Sequence, residues 1–271
     1  VETMRLNLEG LEFEGYKIIR HLTDGSFTEV YLAAAPTGME VVVKALNPHL
    51  KKGGNISDEQ VLWHFENEVK VMTTVSHGHV VKLLKSGKGT NREGREFNYI
   101  VVEYMRGGTL QDYCGTTCLT LSQVFELFEP VCKALSLIHR SGIIHCDIKP
   151  SNLLLDHATY PTVIKLADFS VSKSMTDGWA RDGVLVGTRP YAAPEHHPNA
   201  TELEQRQPLD ERADVYALAM TLLHALTGKR PDYDRRQIAN LPPHPSYQGL
   251  TLEVERVLGK ATALEVELRY T

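Results

Sequence analysis

Apolar positions along this chain change their spacing once. In the first part they form short runs bounded by Gly, Asn and charged residues. This predicts strands over residues 16–22, 30–35, 40–45, 80–85 and 97–103. One helix interrupts them: Ser57-x-x-Gln60 makes a capping box, and Val61, Phe65, Val69 and Met72 follow at helical spacing. Residues 47–55 and 86–96, rich in Gly and polar side chains, read as loops. From Gly107 onward the period is helical. Thr120-x-x-Gln123 opens a helix whose stripe is Leu121, Val124, Leu127, Val131, Leu135 and Ile138. Another runs over residues 210–226 and stops at Thr227-Gly228, with Pro231 beyond. A strand-rich half joined at residues 103–108 to a helix-rich half predicts a two-lobed α+β protein.

The polar residues that break this pattern carry the chemistry. Asp147 and Asn152 lie in a Pro-containing loop, His145-Cys146-Asp147-Ile148-Lys149-Pro150-Ser151-Asn152, ahead of the apolar run Leu153-Leu154-Leu155. Asp168 follows the next apolar run, Val163-Ile164-Lys165-Leu166. Two carboxylates and an amide thus fall at the ends of adjacent strands. Phosphoryl transfer needs such a set, one carboxylate to position a hydroxyl and oxygen ligands to hold Mg²⁺ against a triphosphate.

The spacing D-x-K-x-x-N of Asp147, Lys149 and Asn152, followed by Asp168-Phe169, resembles the catalytic and metal-binding loops of the eukaryotic-type protein kinase family. Gly187-Thr188-Arg189-Pro190-Tyr191-Ala192-Ala193-Pro194-Glu195 is similar to the end of that family's activation segment, and Asp214-Val215-Tyr216 to its central helix. Leu268-Arg269 resembles the late segment whose Arg pairs with the A-P-E glutamate, here Glu195, and residues 260–269 have the character of bacterial members. The resemblance runs from residue 16 to 271, and the family's last helix would follow Arg269, so the chain is expected to stop short of it.

What the resemblance implies is a Ser/Thr-directed kinase using ATP and Mg²⁺ on protein substrates. Residues 1–105 would form the nucleotide-covering lobe and 106–271 the catalytic lobe. Asp147 would orient the substrate hydroxyl, Lys149 steady the transferred group, and Thr188 hydrogen-bond beside them; Asn152 and Asp168 would hold the metal. Nucleotide would lie between the lobes. Leu22, Gly25 and Val30 come from the glycine-rich cover, Val42 and Lys44 from the third strand, and Val102, Glu103 and Met105 from the hinge, with Leu154 below. Glu68 would pair with Lys44; Glu66, its rival, faces another side of the helix.

The family pattern is departed from at three places. Of the glycine loop's three glycines only Gly25 stands, with Thr23 and Thr28 in the other places. The metal motif reads Asp168-Phe169-Ser170, and Cys146 replaces the Arg that usually precedes the catalytic Asp. A neutral Cys gathers no phosphate, so phosphorylation of Ser172, Ser174 or Thr176 is not expected to be needed for activity, unless Lys173 or Arg181 substitutes. No group that does chemistry is missing. The alternative is a pseudokinase, a binding or scaffold module with little phosphotransfer; a small-molecule kinase is disfavoured by residues 187–195.

Composition changes this picture little. With 34 acidic against 29 basic residues the net charge is −5, which gives no electrostatic case for nucleic acid. The longest mostly apolar stretch, residues 217–226, is too short to span a bilayer, and the first fifteen residues carry four Glu rather than a signal peptide's basic start and apolar core. The cytoplasm is therefore expected. Cys114, Cys118, Cys132 and Cys146 are scattered, without a partner Cys/His pair for a zinc site.

Overall fold

The structure is a computed structural model that describes residues 5–50, 56–175, 187–196, 210–231 and 251–271. The chain divides into two units. The first comprises Val1–Ser76 and Val81–Tyr104, the second His77–Val80 and Met105–Thr271.

The first unit is an antiparallel sheet with one long helix. Strands β1 (Glu12–Phe13), β2 (Tyr16–Asp24), β3 (Thr28–Ala34), β4 (Glu40–Leu46), β5 (Leu83–Thr90) and β6 (Glu96–Glu103) lie in the order β1-β2-β3-β4-β6-β5. Strict alternation along β4 sorts its side chains: Val41, Val43 and Ala45 are buried on one face, Val42 and Lys44 half-buried on the other. The buried face joins Tyr31, Ala33, Tyr99 and Val101 in a core that Leu6 and Leu8 of residues 5–11 complete. Helix α1 (Asp58–Thr74) starts at the predicted capping box, with the Ser57 and Gln60 side chains each accepting from the other's backbone N–H, and buries Val61, Phe65, Glu68, Val71 and Met72.

Of residues 86–96, expected as a loop, residues 86–90 lie in strand β5 and Glu96 opens β6, which leaves residues 91–95 as the turn between them; Gly87 lies opposite Tyr99 and Gly89 opposite Phe97. A Cβ at Gly87 would sit 2.9 Å from the Tyr99 hydroxyl, and one at Gly89 2.7 Å from the Phe97 ring. These glycines are therefore sites where cross-strand rings lie over bare backbone rather than turn signals.

The second unit is mainly helical: α2 (Leu110–Cys114), α3 (Leu121–Arg140), α4 (Arg212–Thr227) and α5 (Thr251–Ala261). Helix α3 opens at the predicted Thr120/Gln123 capping box and buries the predicted stripe from Val124 to Ile138. Helix α4 closes on Gly228 in the left-handed conformation. Short strands β7 (Ile143–Ile144), β8 (Leu153–Leu155), β9 (Ile164–Leu166) and β10 (Lys173–Ser174) form two small antiparallel pairs, β8 with β9 and β7 with β10. The units differ from a single cut after residue 105 because residues 77–80 group with the helical unit. There Val80 bridges Leu166 and the His79 ring hydrogen-bonds the Ile164 carbonyl at 2.8 Å. No helix among the described residues is long and apolar enough to cross a membrane.

Candidate active site

Within the first unit, the residues expected around nucleotide share one face of the sheet. Val30 pairs with Lys44 across β3 and β4, and Val42 pairs with Val102 across β4 and β6, so their side chains project together. Leu22 is half-buried on β2. Lys44 Nζ donates to Glu68 Oε1 at 2.5 Å, and Glu68 is almost fully buried. The pairing selects Glu68 over Glu66. At the tip of the β2–β3 hairpin, the Gly25 N–H donates to the Thr28 carbonyl at 2.8 Å. A Cβ at Gly25 would meet Thr28 Oγ1 at 2.6 Å, so any larger residue there would require the buried Thr28 side chain to turn away. At the end of β6, the Glu103 N–H donates to the Lys82 carbonyl at 3.1 Å and its side chain accepts from the Lys82 N–H at 2.8 Å.

In the second unit, the loop after β7 gathers the residues expected to carry the chemistry. Lys149 Nζ donates to Asp147 Oδ2 at 2.7 Å and to Thr188 Oγ1 at 2.8 Å, while the Thr188 hydroxyl donates to Asp147 Oδ1 at 2.8 Å. The Asn152 amide donates to the Asp147 carbonyl at 2.8 Å. Pairing of Leu153 with Leu166, and the hydrogen bond from the Ala167 N–H to the Asn152 carbonyl at 2.9 Å, place Asn152 and Asp168 at the same end of β8 and β9. Leu154 is half-buried on β8, and Met105 is buried nearby in sequence to the Gly107 N–H that donates to the Leu155 carbonyl at 2.8 Å.

Two residues of this loop system hold strained backbones. Cys146 and Asp168 have φ of 68° and 66°, the left-handed region that a residue with a Cβ adopts only when its surroundings enforce it. Asp214, fully buried on α4, enforces the first. Its carboxylate accepts from the His145 N–H at 2.8 Å, the Cys146 N–H at 2.9 Å and His139 Nε2 at 2.8 Å. Burial pushes the Asp214 carboxyl up, but the hydrogen bond and charge of His139 and the loop amide outweigh it, and its pKa lies below the usual value. His145 links the two loops: it accepts from the Asp147 N–H at Nδ1 (3.2 Å), which leaves Nε2–H to donate to the Ala167 carbonyl (3.2 Å). Its ring lies 4.7 Å from that of Phe169, which has no exposed surface.

Asp214→Asn should therefore weaken the loop. An amide has one acceptor oxygen for three donors, so about 1–3 kcal/mol of stability should be lost at neutral pH by urea unfolding. The depressed pKa sets the sign with pH. The carboxylate's contribution is complete above the ordinary Asp value of about 4 and fades as pH falls through the lower folded value, so the gap between wild type and variant should close in acid. A gap that stays constant with pH would contradict this.

His139 was missed by sequence reasoning; the signal was a histidine in the last turn of the long helix preceding the loop. Ser172, one of the three hydroxyls whose phosphorylation is not expected to be needed, is fully buried, and its hydroxyl donates to the His145 carbonyl at 3.3 Å. Ser174 is half-buried on β10, while Thr176 and Arg181 lie outside the described residues. The expected pair of Arg269 and Glu195 is present and buried, at 2.5 and 2.9 Å, with the guanidinium 5.1 Å from the Tyr216 ring centre.

A family model described as "Protein kinase domain" matches residues 16–246, and the chain belongs to that family. Among curated proteins it is similar to the serine/threonine-protein kinase PknB of Mycobacterium leprae, 28% identical over 91% of this chain and 39% of that protein. It is equally similar to PknB of Mycobacterium tuberculosis, 28% identical over 94% of this chain and 40% of the relative. The serine/threonine-protein kinase Pkn1 of Myxococcus xanthus is 29% identical over 97% of this chain and 37% of its own length. The chain thus spans about 40% of the length of the curated relatives it matches.

Proposed function

We propose that this domain transfers the γ-phosphoryl group of Mg·ATP to Ser or Thr hydroxyls of protein substrates. The observation that carries the reading is the closed set of hydrogen bonds joining Asp147, Lys149, Thr188 and Asn152. Asp147 is placed to accept the hydrogen of an incoming hydroxyl and align its oxygen. Lys149 brings a positive charge to where the transferred group would gain negative charge, and Thr188 holds both side chains in register. Lys44, steadied by Glu68, would bind phosphate oxygens, and Gly25 would let backbone approach them. On the sheet face of the first unit, Val30, Val42 and Val102 are suited to an apolar face of the base, and Glu103 would offer backbone to its edge; the family resemblance assigns Leu154 and Met105 of the second unit to base recognition as well.

The donor set fits a hard cation. Asn152 and Asp168 offer amide and carboxylate oxygens, and Mg²⁺ is typically held by one or two such groups together with phosphate oxygens and water. When bound there, the ion would neutralise phosphate charge. A reaction that draws on ATP would run in the cytoplasm, where ATP is supplied.

Incubating the purified domain with γ-labelled ATP and a generic protein substrate tests this. Wild type should label protein, and Asp147→Asn should label at least about 100-fold less. Label on neither protein nor metabolite would instead identify a pseudokinase, and label on a metabolite alone a small-molecule kinase.

A further inference from the structure

The segment ahead of the sheet is built into the hairpin that would cover nucleotide. Arg5 donates to both oxygens of Asp24, at 2.7 and 2.8 Å, and the His21 ring meets the same carboxylate at 2.8 Å. Asp24 is the residue immediately before Gly25, at the end of β2. On the other arm, Glu29 is fully buried on β3 although its side chain ends in a polar carboxyl group. Its Oε1 accepts from the Leu6 N–H at 3.0 Å and from the Asn47 amide at 2.6 Å, and its Oε2 from the Tyr31 hydroxyl. Asn47 returns to the tip, where its N–H donates to the Phe27 carbonyl at 2.8 Å. Its side-chain oxygen accepts from Arg95 at 3.2 Å, so the amide stands between a buried carboxylate and a guanidinium.

Residues 5–11 are themselves anchored away from the hairpin. Leu6 and Leu8 are buried in the sheet core, Asn91 donates to the Leu6 carbonyl at 3.1 Å, and Arg92 donates to the Glu9 carbonyl at 2.9 Å. The Glu9 side chain accepts from the His21 N–H at 2.7 Å. The segment therefore grips both arms of the hairpin on either side of Gly25 while being fixed to the sheet behind it.

We propose that residues 5–11 are a positioning strap for the nucleotide-covering hairpin, with Arg5 and the buried Glu29 as its contacts to the two arms. The inference rests on the kinase reading and adds to it. A loop that keeps one of three glycines has few backbone conformations from which to close on phosphate, and the strap selects one of them from outside the loop. Arg5 is 42% exposed and Asp24 17%, so their pair adds little to global stability. Its effect should fall on how well the hairpin is preorganised for nucleotide.

Arg5→Gln, Asp24→Asn and the double variant separate this from a merely structural role. Each single change should raise the KM for ATP about fivefold, equal to about 1 kcal/mol, with kcat altered less than about twofold and the thermal midpoint nearly unmoved. Because the two side chains share one ion pair, with His21 also on Asp24, the double variant should match the Asp24→Asn single variant and fall well short of the product of the two rises. The Kd for Mg·ATP, titrated directly, should shift in parallel. Unchanged KM and Kd, additive effects, or a loss of affinity that merely tracks a falling thermal midpoint would overturn the strap. A wild type that transfers phosphate beside unaffected variants would sink the strap alone. A wild type that neither binds ATP nor transfers phosphate would sink both readings.

Discussion

Asp168→Asn is expected to lower phosphotransfer by roughly 1,000-fold or more while leaving a folded domain. The change removes one negative charge from the oxygen set suited to Mg²⁺ and keeps the side chain's size. Preorganised charge of this kind commonly supplies several kcal/mol of barrier lowering. Asn is the right substitute because the backbone here is left-handed, with φ of 66°, and Asn tolerates that region better than Ala. Circular dichroism and a thermal melt should match wild type, and a steady-state assay should show near-background turnover. Wild-type turnover in a clean Asp168→Asn preparation would end the kinase assignment. Lys44→Met should be as inactive but is a less clean test, because it takes from the buried Glu68 the ammonium now 2.5 Å away and so costs stability as well.

Arg269→Leu is expected to have the largest effect on stability. Its guanidinium and the Glu195 carboxylate are both buried, joined by two hydrogen bonds, and Arg269 Nε also donates to the Ala263 carbonyl at 2.8 Å. Removing one partner strands the other charge, which typically costs about 3–5 kcal/mol. For a chain of this size that corresponds to a fall of about 10 °C in thermal midpoint. Replacing both residues with Leu should recover much of the loss, since no charge is then left unpaired. Calorimetry on the two variants decides the matter: a single variant within about 1 kcal/mol of wild type would mean that the pair contributes little.

How far the molecule could be read from its sequence depended on whether function or packing fixed each residue. Asp147, Lys149, Asn152 and Asp168 stand out in the sequence by their types and spacing, and the structure brings Asp147, Lys149, Asn152 and Thr188 within hydrogen-bonding distance. Helices α1 and α3 were legible from capping boxes followed by an apolar stripe. Strand β5 was not, because Gly87 and Gly89 carry no propensity of their own; they are strand residues only because Tyr99 and Phe97 lie across from them. The strap was not seen either. Leu6 and Leu8 alternate as a strand-like segment would, but four Glu among the first fifteen residues masked that signal. Nor does a Glu beside a glycine loop look buried until the amide and hydroxyl that satisfy it are placed around it.

Cys146 has a chemical consequence for reagents rather than for turnover. Burial, and next the negative charge of Asp214, push its thiol well above the ordinary range, and the Sγ–H donates to the Ile144 carbonyl at 3.6 Å. Thiolate is the form that attacks electrophiles and peroxide, and at neutral pH hardly any is present there. A cysteine beside Asp147 invites use as a handle for covalent inhibitors or as an oxidant sensor. Buried and held as the thiol, Cys146 is expected to react slowly with both kinds of reagent.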